Sequence, residues 1–144
     1  MCAAAAVARS EANQKQVREI CGEAIHIFSS EDELYEHKDL FDAVIITTPH
    51  RLHPAMAVRA LKEGKHLLLD KPMAVSVGEC EELMACAQET DRVFSVVFHQ
   101  RSSPVYQRIK EILSSGELGR ISRVHLSNSR YYRTEQYPHK CEKS

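Results

Sequence analysis

Two short apolar runs do most to constrain the fold of this chain. Residues 42–47 (DAVIIT) and 66–70 (HLLLD) are almost continuously apolar, and such runs are typical of strands that are buried on both faces of a parallel sheet. Segments with helical spacing surround them, with Pro54 placed for the first turn of a helix and Gly64 placed as its stop. This alternation predicts an α/β fold built on a parallel sheet.

Capping residues and helix breakers set the remaining boundaries. Ser30 with Glu33, and Ser76 with Glu79, have the spacing of a capping box at a helix start. Gly22 is placed to end a helix that the alanine-rich start of the chain predicts. Helices are predicted at residues 4–21, 30–37 and 54–63, after Ser76 and after Ser103. Strands are predicted at residues 24–28, 42–47, 66–70, 93–98 and 121–127.

Composition narrows the class of protein. The 144 residues carry a net charge of -1 with both signs interspersed, which argues against nucleic acid or a membrane surface as partner, because both need a clustered basic face. No apolar run approaches the roughly 20 residues that span a bilayer. The five cysteines are odd in number and lack C-x-x-C spacing, a pattern that favours reduced thiols and a cytoplasmic protein.

Polar clusters follow three of the predicted strands. They are residues 47–53, residues 70–72 and residues 99–101. Ligands of open parallel sheets bind outside the carboxyl ends of the strands, so the convergence of these clusters predicts a binding site. Each cluster also has a structural reading, as a turn with a solvated charge or an ion pair. His50 and His53 have H-x-x-H spacing, but two histidines do not make a zinc site, and no metal is expected.

The order of these motifs resembles the Gfo/Idh/MocA oxidoreductase family. The similarity lies in a Thr48-Pro49 turn followed by His53, a Gly64-Lys65-His66 strand entry, and Asp70-Lys71-Pro72 where the family has Glu-Lys-Pro. Downstream, Arg101, Pro104 and residues 116–121 (GELGRI) resemble the end of its cofactor domain. No single motif is specific, but the ordered series covers residues 10–133.

The resemblance implies an NAD(P)-dependent oxidoreductase that transfers a hydride between nicotinamide and a sugar or polyol hydroxyl. It implies that Lys71 is catalytic, because its ammonium would polarise the substrate hydroxyl. Asp70, one methylene shorter than the family's Glu, would contact the cofactor ribose or orient Lys71. The resemblance implies NAD or NADP as cofactor and the following cofactor-binding residues: Thr48, Pro49, His53, Asp70, Lys71, Pro72 and Arg101.

The glycine-rich turn that binds pyrophosphate is expected to be missing, because the five glycines form no G-x-G-x-x-G. We therefore expect a partial Rossmann-like parallel sheet lacking its first two strands at residues 1–119. The start of a second α+β domain, with a disordered tail, is expected at residues 120–144. Strand 24–28 would then be unpaired or would pair with strand 42–47, and the isolated chain would be marginally stable.

Such a chain would be a fragment of a longer enzyme and inactive alone, and homo-oligomerisation of its full-length parent stays open. The alternative is a non-catalytic α/β nucleotide-binding or interaction module, and the choice between NAD and NADP stays open.

Overall fold

A computed structural model describes residues 3–127 of the chain. The predicted disordered tail lies largely outside the described residues. The chain divides into two compact units, Met1–Gln100 and Arg101–Ser144. The domain boundary expected after Gly119 stays a prediction.

Strands and helices alternate through the first unit, as the sequence predicted. The strands are β1 (Ala5–Val7), β2 (His26–Phe28), β3 (Ala43–Ile46), β4 (His66–Leu69) and β5 (Phe94–Val96). The helices are α1 (Glu11–Cys21), α2 (Glu31–Glu36), α3 (His53–Lys62) and α4 (Val77–Gln88), followed by α5 (Pro104–Ser115) in the second unit. Short 3-10 helices cover Lys38–Leu40, His50–Leu52 and His99–Ser102.

The strands form two parallel sheets. One contains β1 and β2, and the other has the order β3-β4-β5. The dinucleotide-binding fold has the strand order 3-2-1-4-5-6. The two sheets match this order if β2 and β1 are its third and second strands and β3 to β5 are its fourth to sixth. The expectation of a partial Rossmann-like parallel α/β sheet is confirmed.

The start of the chain corrects the sequence prediction. Residues 4–10 were expected to be helical, because alanine has the highest helix propensity. Instead Ala5–Val7 pairs with His26–Phe28, and the helix begins only at Glu11, where the Ser10 side chain accepts a hydrogen bond from the Asn13 amide. The sheet therefore contains a strand in the position of the second Rossmann strand, which the sequence analysis expected to be absent. β2 pairs with β1 and not with β3, which belongs to the other sheet.

The core lies between the three-stranded sheet and helices α3 and α4. Its residues are all apolar and buried: Ile46, Leu67, Leu69, Ala57, Ala60, Leu61 and Leu83. Small residues on α3 let that helix approach the strands closely, and burial of this cluster fixes the ends of β3 and β4 relative to each other.

Polar and aromatic contacts join α2 to α3. The Arg59 guanidinium lies 2.6 Å from the Asp32 carboxylate and 4.6 Å from the centre of the Tyr35 ring. Burial, with the Glu31 carboxylate adding to the effect, raises the pKa of Tyr35 to about 12. The buried tyrosine is thus a fixed part of the contact between the two helices.

Of the two predicted capping boxes, the one at Ser76 and Glu79 forms with both of its hydrogen bonds. At Ser30 only half of the box forms, because the Glu33 carboxylate accepts from the amide and hydroxyl of Ser29 instead. These hydrogen bonds lower the pKa of Glu33.

In the second unit, helix α5 ends at Gly116, whose φ of 80° places it in the left-handed region that favours glycine. The strand predicted at residues 121–127 is wrong, because these residues are irregular. A strand needs a neighbour for its backbone hydrogen bonds, and the described residues offer this segment no pairing partner. Among residues 3–127, no helix is long and apolar enough to cross a membrane.

Candidate active site

The carboxyl ends of β3, β4 and β5 lie at one edge of the larger sheet. Ile46 is paired with Leu69, and Leu69 is paired with Val96, all in parallel register. The Asp70 amide donates to the Ile46 carbonyl over 2.9 Å, which holds the residues just beyond β4 against the end of β3. The prediction that the three strands point the same way is confirmed.

Lys71 is exposed at this edge, directly after β4. Among the described residues its ammonium has neither a hydrogen bond nor an ion pair, and the half-buried Asp70 carboxylate forms no ion pair with it. The peptide bond between Lys71 and Pro72 is cis. Because the Lys71 ammonium has no partner among the described residues, it is available to a ligand. These residues also show no contact by which Asp70 would orient Lys71.

His53 joins the two polar segments that follow β3 and β4. Its side chain is fully buried, and its ring nitrogens lie 2.8 Å from the Thr48 and Pro72 carbonyl oxygens. A ligand has no exposed surface of this ring to contact. The geometry gives His53 a positioning role that spacing alone did not reveal: it links the turn after β3 to the segment that carries Lys71.

The Thr48-Pro49 turn lies on the surface beside this link. Thr48 is half-buried, and its hydroxyl donates to the Met56 sulfur on α3 over 3.3 Å, while Pro49 is exposed. His50 is also exposed, and its ring meets the His53 ring edge-on at 5.5 Å between centroids. The described residues contain no group of three or more His, Cys, Asp or Glu that could hold a metal ion.

Arg101 belongs to the 3-10 helix His99–Ser102, which follows β5, and it is the first residue of the second compact unit. Its assignment to the nicotinamide environment stays a prediction. Of the predicted cofactor-binding residues, the structure brings together Thr48, Asp70, Lys71 and Pro72, with the His53 ring between the Thr48 and Pro72 carbonyls.

One candidate position was not predicted from the sequence, namely the end of β1. Ala8, Arg9 and Ser10 connect β1 to α1 at the carboxyl end of that strand. The available signal was Ser10, a favourable N-cap residue just before Glu11, which indicates that the helix begins there. The alanine run obscured it.

The residues at the strand ends suit a dinucleotide chemically. An exposed ammonium and a threonine turn at the carboxyl edge match the polar contacts that this fold offers its cofactors. The glycine-rich turn that holds the pyrophosphate in such proteins has no counterpart in the printed sequence.

Comparison with known proteins agrees with the geometry. Residues 3–98 match the model of the Gfo/Idh/MocA oxidoreductase family, described as having an NAD-binding Rossmann fold. The chain is 40% identical over 89 residues to a 1-carboxy-3-chloro-3,4-dihydroxycyclohexa-1,5-diene dehydrogenase of Comamonas testosteroni, covering 60% of this chain and 22% of that protein. It is 32% identical over 107 residues to inositol 2-dehydrogenase of Salmonella typhimurium, covering 74% of this chain and 31% of the relative.

Solved structures show the same similarity. A scyllo-inositol dehydrogenase from Lactobacillus casei, crystallised with NAD(H) and scyllo-inositol, superposes with a TM-score of 0.72 at 27% identity. A 3-ketoreductase from Actinomadura kijaniata, crystallised with NADP and TDP-benzene, superposes with a TM-score of 0.71 at 28% identity. Each match covers 80% of this chain and 34% of the other, so the chain spans about a third of the length of these proteins. The chain belongs to the Gfo/Idh/MocA oxidoreductase family, with its NAD-binding Rossmann fold.

Proposed function

We propose that this chain forms the cofactor side of a dehydrogenase site in which a nicotinamide nucleotide exchanges a hydride with a sugar or polyol hydroxyl. The observation that carries the proposal is the exposed Lys71 ammonium at the carboxyl end of β4, with no partner among the described residues. Relatives named for inositol oxidation support the substrate class.

Lys71 is assigned the role of polarising the substrate hydroxyl. When bound, the nicotinamide supplies the hydride acceptor or donor. In the reductive direction, the Lys71 ammonium would stabilise the negative charge that develops on the carbonyl oxygen and would donate a proton to that oxygen, and the oxidative direction is the reverse of this transfer. The electrostatic effect is large where water is excluded. Thr48 and Pro49 would line the dinucleotide, with Asp70 and Pro72 at its nicotinamide end.

His53 would support this site without touching the ligand. Its ring contacts the carbonyl of the residue that follows Lys71 and the carbonyl of Thr48. Loss of this link would let both segments move, and small displacements of a positioning group lower rates strongly. His53 is therefore proposed as a positioning residue, not a catalytic one.

The test replaces the matching segment of the Salmonella inositol 2-dehydrogenase with residues 3–98 of this chain. Inositol oxidation is followed by the absorbance of the reduced nicotinamide. Lys71→Ala should lower kcat by about 100-fold or more, the range for loss of a general acid-base group, with cofactor affinity nearly unchanged. Lys62→Ala, at an exposed lysine at the end of α3, is the matched control. Turnover that Lys71→Ala leaves intact would contradict the catalytic role of Lys71, and a folded chimera without any turnover would favour the non-catalytic alternative.

A further inference from the structure

The end of β1 lies where dinucleotide-binding folds distinguish their two cofactors. In this fold an acidic residue bonds the ribose 2′-hydroxyl of NAD, or an arginine nearby accommodates the 2′-phosphate of NADP. The strand order makes β1 the second strand, whose carboxyl end runs into Ala8, Arg9 and Ser10 before α1 begins.

This segment has no carboxylate at the strand end to bond the ribose 2′-hydroxyl of NAD. Ala8 occupies the strand end and is 4% exposed, with its amide donating to the Phe28 carbonyl and its carbonyl accepting from the Gln14 side chain. A methyl group cannot accept a hydrogen bond from a ribose hydroxyl. It also places no negative charge where a 2′-phosphate would lie.

The same segment offers groups that suit a phosphate. Arg9 is exposed and forms no ion pair with any described residue. A guanidinium can bind a phosphate through two parallel N–H bonds. Ser10 adds a hydroxyl beside it, at the N-cap of α1.

Two other carboxylates are candidates for the missing acid. One lies close to Arg9 along the chain, and the other follows the neighbouring strand β2. Glu33 follows β2, and its carboxylate already accepts hydrogen bonds from the amide and hydroxyl of Ser29. Glu11 is exposed in the first turn of α1 and is not paired with Arg9. Neither occupies the strand-end position that Ala8 holds.

We infer that this chain selects NADP over NAD, with Arg9 and Ser10 binding the 2′-phosphate and no carboxylate at Ala8 to repel it. The inference rests on the proposed function, because it assumes a nicotinamide nucleotide at these strand ends. The relative from Actinomadura kijaniata was crystallised with NADP, so the fold accepts this cofactor.

Calorimetric titration of the full chain with cofactor fragments tests the inference without turnover. The probes are 2′,5′-ADP, 3′,5′-ADP and 5′-AMP, and the two diphosphates differ only in the position of one phosphate. We expect 2′,5′-ADP to bind at least about tenfold more tightly than the other two, the effect of one charge-assisted hydrogen-bonding contact. Arg9→Ala should abolish this preference, and the matched control Arg92→Ala, at an exposed arginine before β5, should preserve it.

Equal affinities for the three nucleotides, absence of 2′,5′-ADP binding, or a preference that survives Arg9→Ala would each overturn the inference. Ala8→Asp should also remove the preference. If that variant fails to fold because the site is buried, as circular dichroism would show, Arg9→Ala still decides the question. A 2′-phosphate preference in a chain whose Lys71 proves dispensable would refute the catalytic role proposed for Lys71 and leave this inference standing.

Discussion

At the scale of single residues, His53 and Tyr35 show how buried polar groups fix this fold. A neutral imidazole has one N–H and so donates to only one of the two carbonyls that face it, whereas an imidazolium donates to both. In either form the ring donates a hydrogen bond to at least one of the two carbonyl oxygens. The H-x-x-H spacing drew attention to this histidine, but only the packing shows that it faces inward.

Replacing His53 with alanine should destabilise the chain by about 3 kcal/mol, because it leaves a cavity and removes the hydrogen bonding between the ring and the Thr48 and Pro72 carbonyls. His50→Ala, at the exposed neighbouring histidine, should change the free energy of unfolding by no more than about 0.5 kcal/mol. Urea denaturation followed by circular dichroism measures both. Equal losses in the two variants would contradict the positioning role of His53.

Tyr35 should make the stability of the chain fall at high pH. Its pKa is raised to about 12 in the folded chain from 10.0, so the unfolded chain ionises first as the pH rises. The stabilisation is fully present below pH 10 and is lost between pH 10 and about 12. The expected loss is about 2 kcal/mol.

The measurement is urea denaturation at several pH values across this window. Tyr35→Phe keeps the ring and removes the titrating hydroxyl. The free energy of unfolding of this variant should therefore fall less between pH 10 and about 12. An unchanged pH profile in Tyr35→Phe would show that the loss arises elsewhere.

At the scale of elements, the sequence predicts strands with long apolar runs well and predicts poorly a strand that only its pairing defines. The long apolar runs identify β3 and β4, because a strand buried on both faces must be apolar throughout. The alanine-rich β1 has no such pattern, and only its pairing with β2 makes it a strand. β3 is an edge strand in the described sheet, and Ile45 on it is 63% exposed.

This apolar edge should drive association of the isolated chain, since unpaired strand edges accept further strands. Ile45→Lys should raise several-fold the protein concentration at which light scattering increases. Ile20→Lys, at a comparably exposed isoleucine on α1, should have a smaller effect because a helix offers no unpaired edge. Equal effects of the two substitutions would assign the association to exposed apolar area alone.

At the scale of the whole molecule, the two sheets of the first unit differ in how much of the core packs against them. The main core packs on β3, β4 and β5, whereas β1 and β2 form a two-stranded pair with α2 as their helical neighbour. An isolated two-stranded pair is marginal in water. The stability of the unit should therefore differ between its two sheets.

Hydrogen exchange measured by mass spectrometry should reveal this difference. Amides of β4, which has a strand on both sides, should exchange most slowly, and those of β1 and β2 at least about 100-fold faster, because local opening there breaks few contacts. Addition of 2′,5′-ADP should slow exchange at residues 8–10 without changing β4. Uniform protection across both sheets would indicate that they unfold as one cooperative unit.

Local patterning determined the α/β alternation, the strands β3 and β4, the capping box at Ser76 and the polar clusters at the strand ends. These features depend on hydrophobic period and on residues that cap or break elements, which act over a few positions. Tertiary structure decided the strand at Ala5–Val7, the inward orientation of His53 and the irregular course of residues 121–127. Each of these depends on whether a distant segment supplies a partner for backbone or ring hydrogen bonds, and such partners are chosen by packing in three dimensions.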